Sequence, residues 1–137
     1  MNKSTPISTI MTTDIISVKK NQSLKEVAEI IRDHHIRHVP VVSGNKIIGM
    51  LSKVDLAKIS FINTFDGDDM TSIMYDALTI DQVMTKSVST VQATDSIVDV
   101  AKNLSESEFH ALPVVDGENL VGIVTSTDLI KYLVTQV

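Results

Sequence analysis

Cysteine is absent from all 137 residues, which excludes disulfides and thiol chemistry and makes a reducing, cytoplasmic setting the expected one. No apolar run approaches the roughly 20 residues that span a bilayer. The opening Met1-Asn2-Lys3-Ser4-Thr5-Pro6 lacks the apolar centre of a signal peptide, so no membrane association is expected. Positive charge is also scarce. Twelve Lys and Arg against 17 Asp and Glu leave a formal charge of −5, which argues against broad nucleic-acid binding. An anionic ligand must therefore be held by a local cluster of donors. Enzymatic signatures are missing too: there is no glycine-rich phosphate loop followed by lysine, and no serine–histidine–acid order that a fold would assemble. His110 and Asp55 could share acid–base work, but neither a nucleophile nor a metal accompanies them. The expectation is a protein without catalytic activity.

What is present is one sequence written twice. Residues 10–58 and 83–131 align without a gap, Asp55 falling on Asp128. Met11-Thr12 meets Met84-Thr85, Pro40-Val41-Val42 meets Pro113-Val114-Val115, and Gly44, Gly49 meet Gly117, Gly122. A repeat present only twice, longer than solenoid units, points to a two-lobed, pseudo-symmetric module. An apolar fraction of 43% with 21% charged residues suits a globular core, and either half alone would be marginal.

Each copy reads as strand, helix, two strands, helix. Ile15 to Val18 is β-rich. Ser23 to Glu26 and Ser96 to Asp99 are capping patterns, a hydroxyl followed three residues on by a carboxylate. Leu24, Val27, Ala28 and Ile31 then recur at helical spacing, as do Ile97, Val100, Ala101 and Leu104. His38 to Val42 and Lys46 to Leu51 form a hairpin around Ser43-Gly44-Asn45, repeated by Leu112 to Val115 and Leu120 to Val124. These strands are nearly continuous in apolar residues, so both sheet faces are expected to be covered. The class is α/β (α+β), each repeat a small sheet packed against two helices. The boundaries are 1–62 for the first repeat, 63–80 for an insert and 81–137 for the second. In the insert, Asp66-Gly67-Asp68-Asp69 lacks calcium-loop spacing and reads as a solvated loop before a weakly helical Met70 to Leu78. The apolar residues of the stretch 61–81, which has no counterpart in the duplication, Phe61, Ile62, Phe65, Met70, Ile73, Met74 and Tyr75, are expected to pack on the module or on a partner chain. Thr79 to Gln82 caps a short helix leading into Met84, as Thr5-Pro6 opens one leading into Met11.

The chemistry-bearing motif closes each copy: Gly49-Met50-Leu51-Ser52-Lys53-Val54-Asp55 and Gly122-Ile123-Val124-Thr125-Ser126-Thr127-Asp128. Glycine within a strand admits another backbone or a ligand. Ser52 and Thr125 stand at helix N-caps, where a phosphate would meet unpaired amides and the positive end of the helix dipole. Asp55 and Asp128 can accept hydrogen bonds from the 2′- and 3′-hydroxyls of a ribose. The competing reading is a plain capping box, the carboxylate serving a backbone amide. One carboxylate cannot fill both roles fully. The cluster Arg32-Asp33-His34-His35-Ile36-Arg37-His38 invites a metal reading, but a helix ending near His35 would break the His34–His38 face. Cations in a last helical turn are explained by its dipole, so no metal is expected.

Taken in order and in register, these motifs resemble the CBS domain, named after cystathionine β-synthase, over nearly all of the chain outside the first residues and 61–81. The resemblance implies a tandem pair, or Bateman module, that binds adenosine-containing ligands (AMP, ADP, ATP or S-adenosylmethionine) as regulators and performs no chemistry. It implies a disc-like homodimer acting on an effector protein, the alternative being a structural dimerisation module with degenerate, empty clefts. It also implies that residues before Pro-Val line the phosphate end of a cleft between repeats. One cleft would combine Asp14, Ile16, Arg37 and His38 with Ile123, Thr125, Thr127 and Asp128. The other would combine Ser87, Ser89, His110 and Ala111 with Met50, Ser52, Lys53 and Asp55. The first is expected to be the tighter, because Arg37 is permanently charged and can fork onto phosphate oxygens.

Overall fold

In the computed structural model, which describes residues 3–62, 76–107 and 110–137, both copies build the same succession of elements. The first has β1 (Val18–Lys19), α1 (Leu24–Asp33), β2 (His38–Ser43), β3 (Lys46–Ser52) and α2 (Lys53–Ile62). A short helix α3 (Ile80–Val83) precedes β4 (Val91–Gln92), α4 (Ile97–Glu106), β5 (Ala111–Asp116), β6 (Asn119–Thr125) and α5 (Ser126–Thr135). In each copy a short strand pairs parallel with the first strand of an antiparallel hairpin, β1 with β2 and β4 with β5. The class is thus mixed α/β with two repeats, as the alternation of strand and helix requires. The β-rich stretch from Ile15 is shorter than expected, since only Val18 and Lys19 pair, opposite Val41 and Val42.

The caps are where the pattern put them. Ser23 Oγ accepts the Glu26 amide at 3.1 Å and Ser96 Oγ accepts that of Asp99 at 3.1 Å. A hydrogen bond from Gln22, with help from Ser23, holds the Glu26 carboxyl below its ordinary range. Beyond these caps Leu24, Val27 and Ile31 bury one face of α1, and Ile97, Val100 and Leu104 one face of α4. Gly44 and Gly117 open the two-residue hairpin loops with φ of 62° and 66°, values that cost glycine nothing and other residues strain.

Chain contacts divide the molecule into two compact units that do not follow the repeat boundaries. One unit is Ile16–Val88; the other joins Met1–Ile15 to Ser89–Val137. The arm ahead of each repeat therefore belongs to the other copy. Ile80, fully buried, joins Val18, Leu24, Val27, Val39, Val41 and Leu51 in the core of the first unit. Ile7, equally buried, sits with Val91, Ile97, Val100, Leu112, Val114 and Val124 in the second. Pro6 opens the 3₁₀ turn Ile7–Thr9, and Thr79 caps α3 with a reciprocal bond pair to Gln82.

The strand glycines explain how the arms dock. A Cβ on Gly122 would run into the Met11 side chain and stand 3.1 Å from the Thr12 carbonyl oxygen; Gly49 faces Met84 and the Thr85 carbonyl in the same way. The close approach that these glycines permit is therefore made by the chain itself. Gly122→Ala is expected to destabilise the fold by about 1–3 kcal/mol in urea denaturation, the usual cost of overpacking a tight contact. No loss of stability would mean that the arm does not lie against β6.

The Asp66-Gly67-Asp68-Asp69 loop, most of the Met70 to Leu78 helix and the packing of Phe65, Met70, Ile73, Met74 and Tyr75 lie outside the described residues, as do the side chains of Phe61 and Ile62. Leu78 packs against the first unit's core. Among the described residues no helix is long and apolar enough to cross a membrane.

Candidate functional site

In the first unit, β3 delivers Ser52 directly into α2. Ser52 is buried, its Oγ accepts the Asp55 amide at 3.0 Å, and Asp55 Oδ2 accepts the Ser52 amide at 3.0 Å. The Lys53 amide donates to the Arg37 carbonyl at 2.8 Å, and His38 pairs with Ser52 across the hairpin. On the other side of β3 the arm closes a two-way bridge, Met50 and Thr85 exchanging amide–carbonyl bonds of 2.9 Å, with Ser87 two residues farther along.

The second unit repeats this arrangement. Thr125 Oγ1 accepts the Asp128 amide at 3.2 Å, and Asp128 Oδ2 accepts the Thr125 amide at 2.9 Å. The Ser126 amide donates to the His110 carbonyl at 3.0 Å, and Ala111 pairs with Thr125. Thr12 bridges Ile123 with bonds of 2.8 and 2.9 Å. One contact is special to this copy: the Thr12 hydroxyl lies 3.3 and 3.4 Å from the two Asp128 carboxylate oxygens. Among the described residues Asp55 Oδ1 has no hydrogen-bond partner.

Two features of the turns bear on the expected roles. First, the capping role is filled in both copies, and the amides of Lys53, Asp55, Ser126 and Asp128 are all engaged. The helix starts are not open rows of donors; the capping side chains and the preceding strand have taken most of them. A carboxylate has roughly four acceptor positions, so capping through one oxygen leaves capacity for a diol. Second, Arg37 and His38 stand beside Ser52, Lys53 and Asp55 in their own repeat, and His110 and Ala111 beside Thr125 to Asp128 in theirs. Hairpin register forces the neighbourhood, because the start of β2 must face the end of β3. Of the remaining expected residues, Asp14 follows Thr12 in the second unit, where Ser89 and the exposed Thr127 also lie. Ile16 packs against the first unit's core.

The histidine cluster is dispersed by backbone geometry. Helix α1 stops at Asp33, His34 is its C-cap, and His35 takes a left-handed φ of 53°, so His34 and His38 share no helix face. Thr12 and Thr85 were not singled out from sequence as site residues. The signal was their place in the duplicated Met-Thr pair, together with the strand glycines opposite.

A family model described as CBS domain matches residues 7–61 and again residues 80–135. The chain belongs to the CBS domain family. Among its relatives is the CBS domain-containing protein YhcV of Bacillus subtilis (strain 168), 30% identical over 119 residues, which are 87% of this chain and 79% of YhcV. A homoserine O-acetyltransferase of Methanocorpusculum labreanum is 34% identical over 122 residues, 88% of this chain but 22% of that protein. The chain spans 22% to 32% of the length of the first four curated relatives it matches. Among solved structures, the CBS domain pair of protein MJ0100, in complex with 5′-methylthioadenosine and S-adenosyl-L-methionine, superposes with a TM-score of 0.76. It is 30% identical to this chain and matches 94% of it and 99% of that pair. Both CBS repeats here keep the Ser/Thr-x-x-Asp turn intact.

Proposed function

We propose that the chain is a non-catalytic regulatory module that binds an adenosine-containing ligand against the Ser/Thr-x-x-Asp turns and passes occupancy to an effector protein. The observation that carries this reading is the similarity, over almost its full length, to a CBS pair solved with two adenosyl ligands. The chemistry of the turns supports it. Asp55 and Asp128 retain acceptor capacity for the ribose diol after capping. We assign Met50, Ser52, Lys53, Arg37, His38 and Ser87 to the first site, and Ile123, Thr125, Thr127, His110, Ala111 and Asp14 to the second. Ile16 and Ser89 are assigned only to the approach. The acetyltransferase activity named for longer relatives is not assigned to this chain, which matches about a fifth of one such protein.

A homodimer is part of the proposal. Helix α5 has no buried residue, and Ile130, Leu133 and Val134 are each more than half exposed. Apolar side chains at this spacing on one helix suit burial against a second copy. Sedimentation at tens of micromolar should give a dimer; a monomer there removes this part.

The function is tested by thermal shift of the purified chain with adenosine, AMP, ADP, ATP, 5′-methylthioadenosine and S-adenosylmethionine, GTP being the control. A ligand at 100 times its dissociation constant adds about 2.7 kcal/mol. A domain of this size then melts roughly 5–10 °C higher. A shift with adenosyl ligands and none with GTP is expected. No shift, from protein whose acid extract shows no absorbance at 260 nm, would leave a structural module instead.

A further inference from the structure

The two turns are near copies in backbone and unlike in charge. Beside Asp55, the three positions held against the turn by backbone bonds are Arg37, His38 and Lys53. Beside Asp128, the corresponding positions are His110, Ala111 and Ser126. Two residues past the arm's bridge stands Ser87 in the first unit and Asp14 in the second. The Asp55 turn therefore has two permanent cations for one carboxylate, and the Asp128 turn has two carboxylates and no permanent cation. Lys86, also on the first unit's arm, is paired with Asp81 at 3.4 Å and is left out of this comparison. The approach differs as well. His110 holds a left-handed φ of 56°, a conformation that Arg37 at the matching position does not adopt.

Resting on the reading above that adenosyl ligands meet these turns, we infer that the two repeats divide the ligands by charge. The Asp55 turn takes an adenosyl ligand bearing phosphate, and the Asp128 turn takes an uncharged or cationic one, a thioether or sulfonium. Arg37 can fork onto phosphate oxygens, and Lys53 adds a point charge beside it. A phosphate near Asp14 and Asp128 would meet two like charges, whereas a sulfonium there is attracted. The discriminating residues are Arg37, Lys53 and Asp14.

The experiment is isothermal titration of the full chain with AMP and, separately, with 5′-methylthioadenosine. The variants are the Arg37→Ala/Lys53→Ala double, Asp55→Asn and Asp128→Asn. Arg37 and Lys53 are exposed, so their loss leaves the core intact, which a melting curve checks. The double variant should lose AMP affinity by about tenfold or more, with 5′-methylthioadenosine changed by less than about twofold. Asp55→Asn should weaken AMP and Asp128→Asn the thioether. Unchanged AMP affinity in the double variant overturns the inference, as does AMP binding lost on Asp128→Asn and kept on Asp55→Asn. A wild type that binds both ligands at two equal sites overturns this inference alone. A wild type that binds neither overturns the parent reading with it.

Discussion

Replacing Ile7 with alanine should lower stability by about 2–4 kcal/mol, the range for truncating a large aliphatic side chain in a sealed core. A residue seven positions from an N-terminus is ordinarily tolerant of change. Here it is fully buried among Val91, Ile97, Val100, Leu112, Val114 and Val124. Its amide donates to the Asp95 carbonyl at 2.7 Å, the Ser8 amide reaches Ala93 at 3.2 Å, and the Ile97 amide returns to Thr5 at 2.9 Å. These bonds hold the arm rigidly, so the cavity left by truncation cannot collapse cheaply. Lys3→Ala, on the exposed end of the same arm, should change stability by about 0.5 kcal/mol or less. Denaturant unfolding measures both. Hydrogen exchange should place the Ile7→Ala loss first in β4 to β6, not in β1 to β3. An Ile7→Ala cost as small as that of Lys3→Ala would contradict the exchange of arms.

Asp55→Ala and Asp55→Asn should separate the two roles of that carboxylate. Alanine removes the acceptor of the Ser52 amide and should cost about 1 kcal/mol as a lost cap. It also removes the proposed ribose acceptor, and hydrogen bonds to a charged group contribute about 1.5–3 kcal/mol. Adenosyl affinity should fall by roughly 10- to 100-fold. Asparagine keeps one oxygen for the cap and puts an amide donor where the second oxygen was. It should therefore hold stability near wild type and still weaken the ligand. Stability lost without any loss of affinity in the alanine variant would leave Asp55 a capping residue only. At Asp128 the Thr12 hydroxyl already lies against both oxygens, so a ligand there would share the carboxylate with the arm.

Much of this was legible because the information is local. The hydroxyl–carboxylate spacing marked Ser23 and Ser96 as caps, and the glycine between β-branched runs marked both hairpins. The core faces of α1 and α4 followed from side-chain periodicity alone. The two Ser/Thr-x-x-Asp turns were legible as motifs, but not which residues stand across the hairpin from them. Hairpin pairing brings His38 to Ser52, a register that the two-residue loop at Gly44 does not set alone, because a bulge between Val41 and Val42 shifts it by one residue. The short helices of the arms were legible from Pro6 and the Thr79 cap, but what they bury against was not. Ile7 and Ile80 lie in short segments without enough residues to show a period, and what they bury against is distant in sequence. Only the duplication, followed back from Met11 and Met84, marks them as a pair. The glycines opposite the Met-Thr pairs were read as room for another backbone or a ligand, and the arm takes it, through the Met11 and Met84 side chains and the Thr12 and Thr85 carbonyls.

The most direct test of the account is a titration of the purified chain with adenosine and with 2′,3′-dideoxyadenosine, which differ only in the diol offered to Asp55 and Asp128. Adenosine should bind at least about tenfold more tightly, the equivalent of one charge-assisted hydrogen bond. Equal affinities would contradict the assignment of these carboxylates to the ribose, whatever else the turns hold.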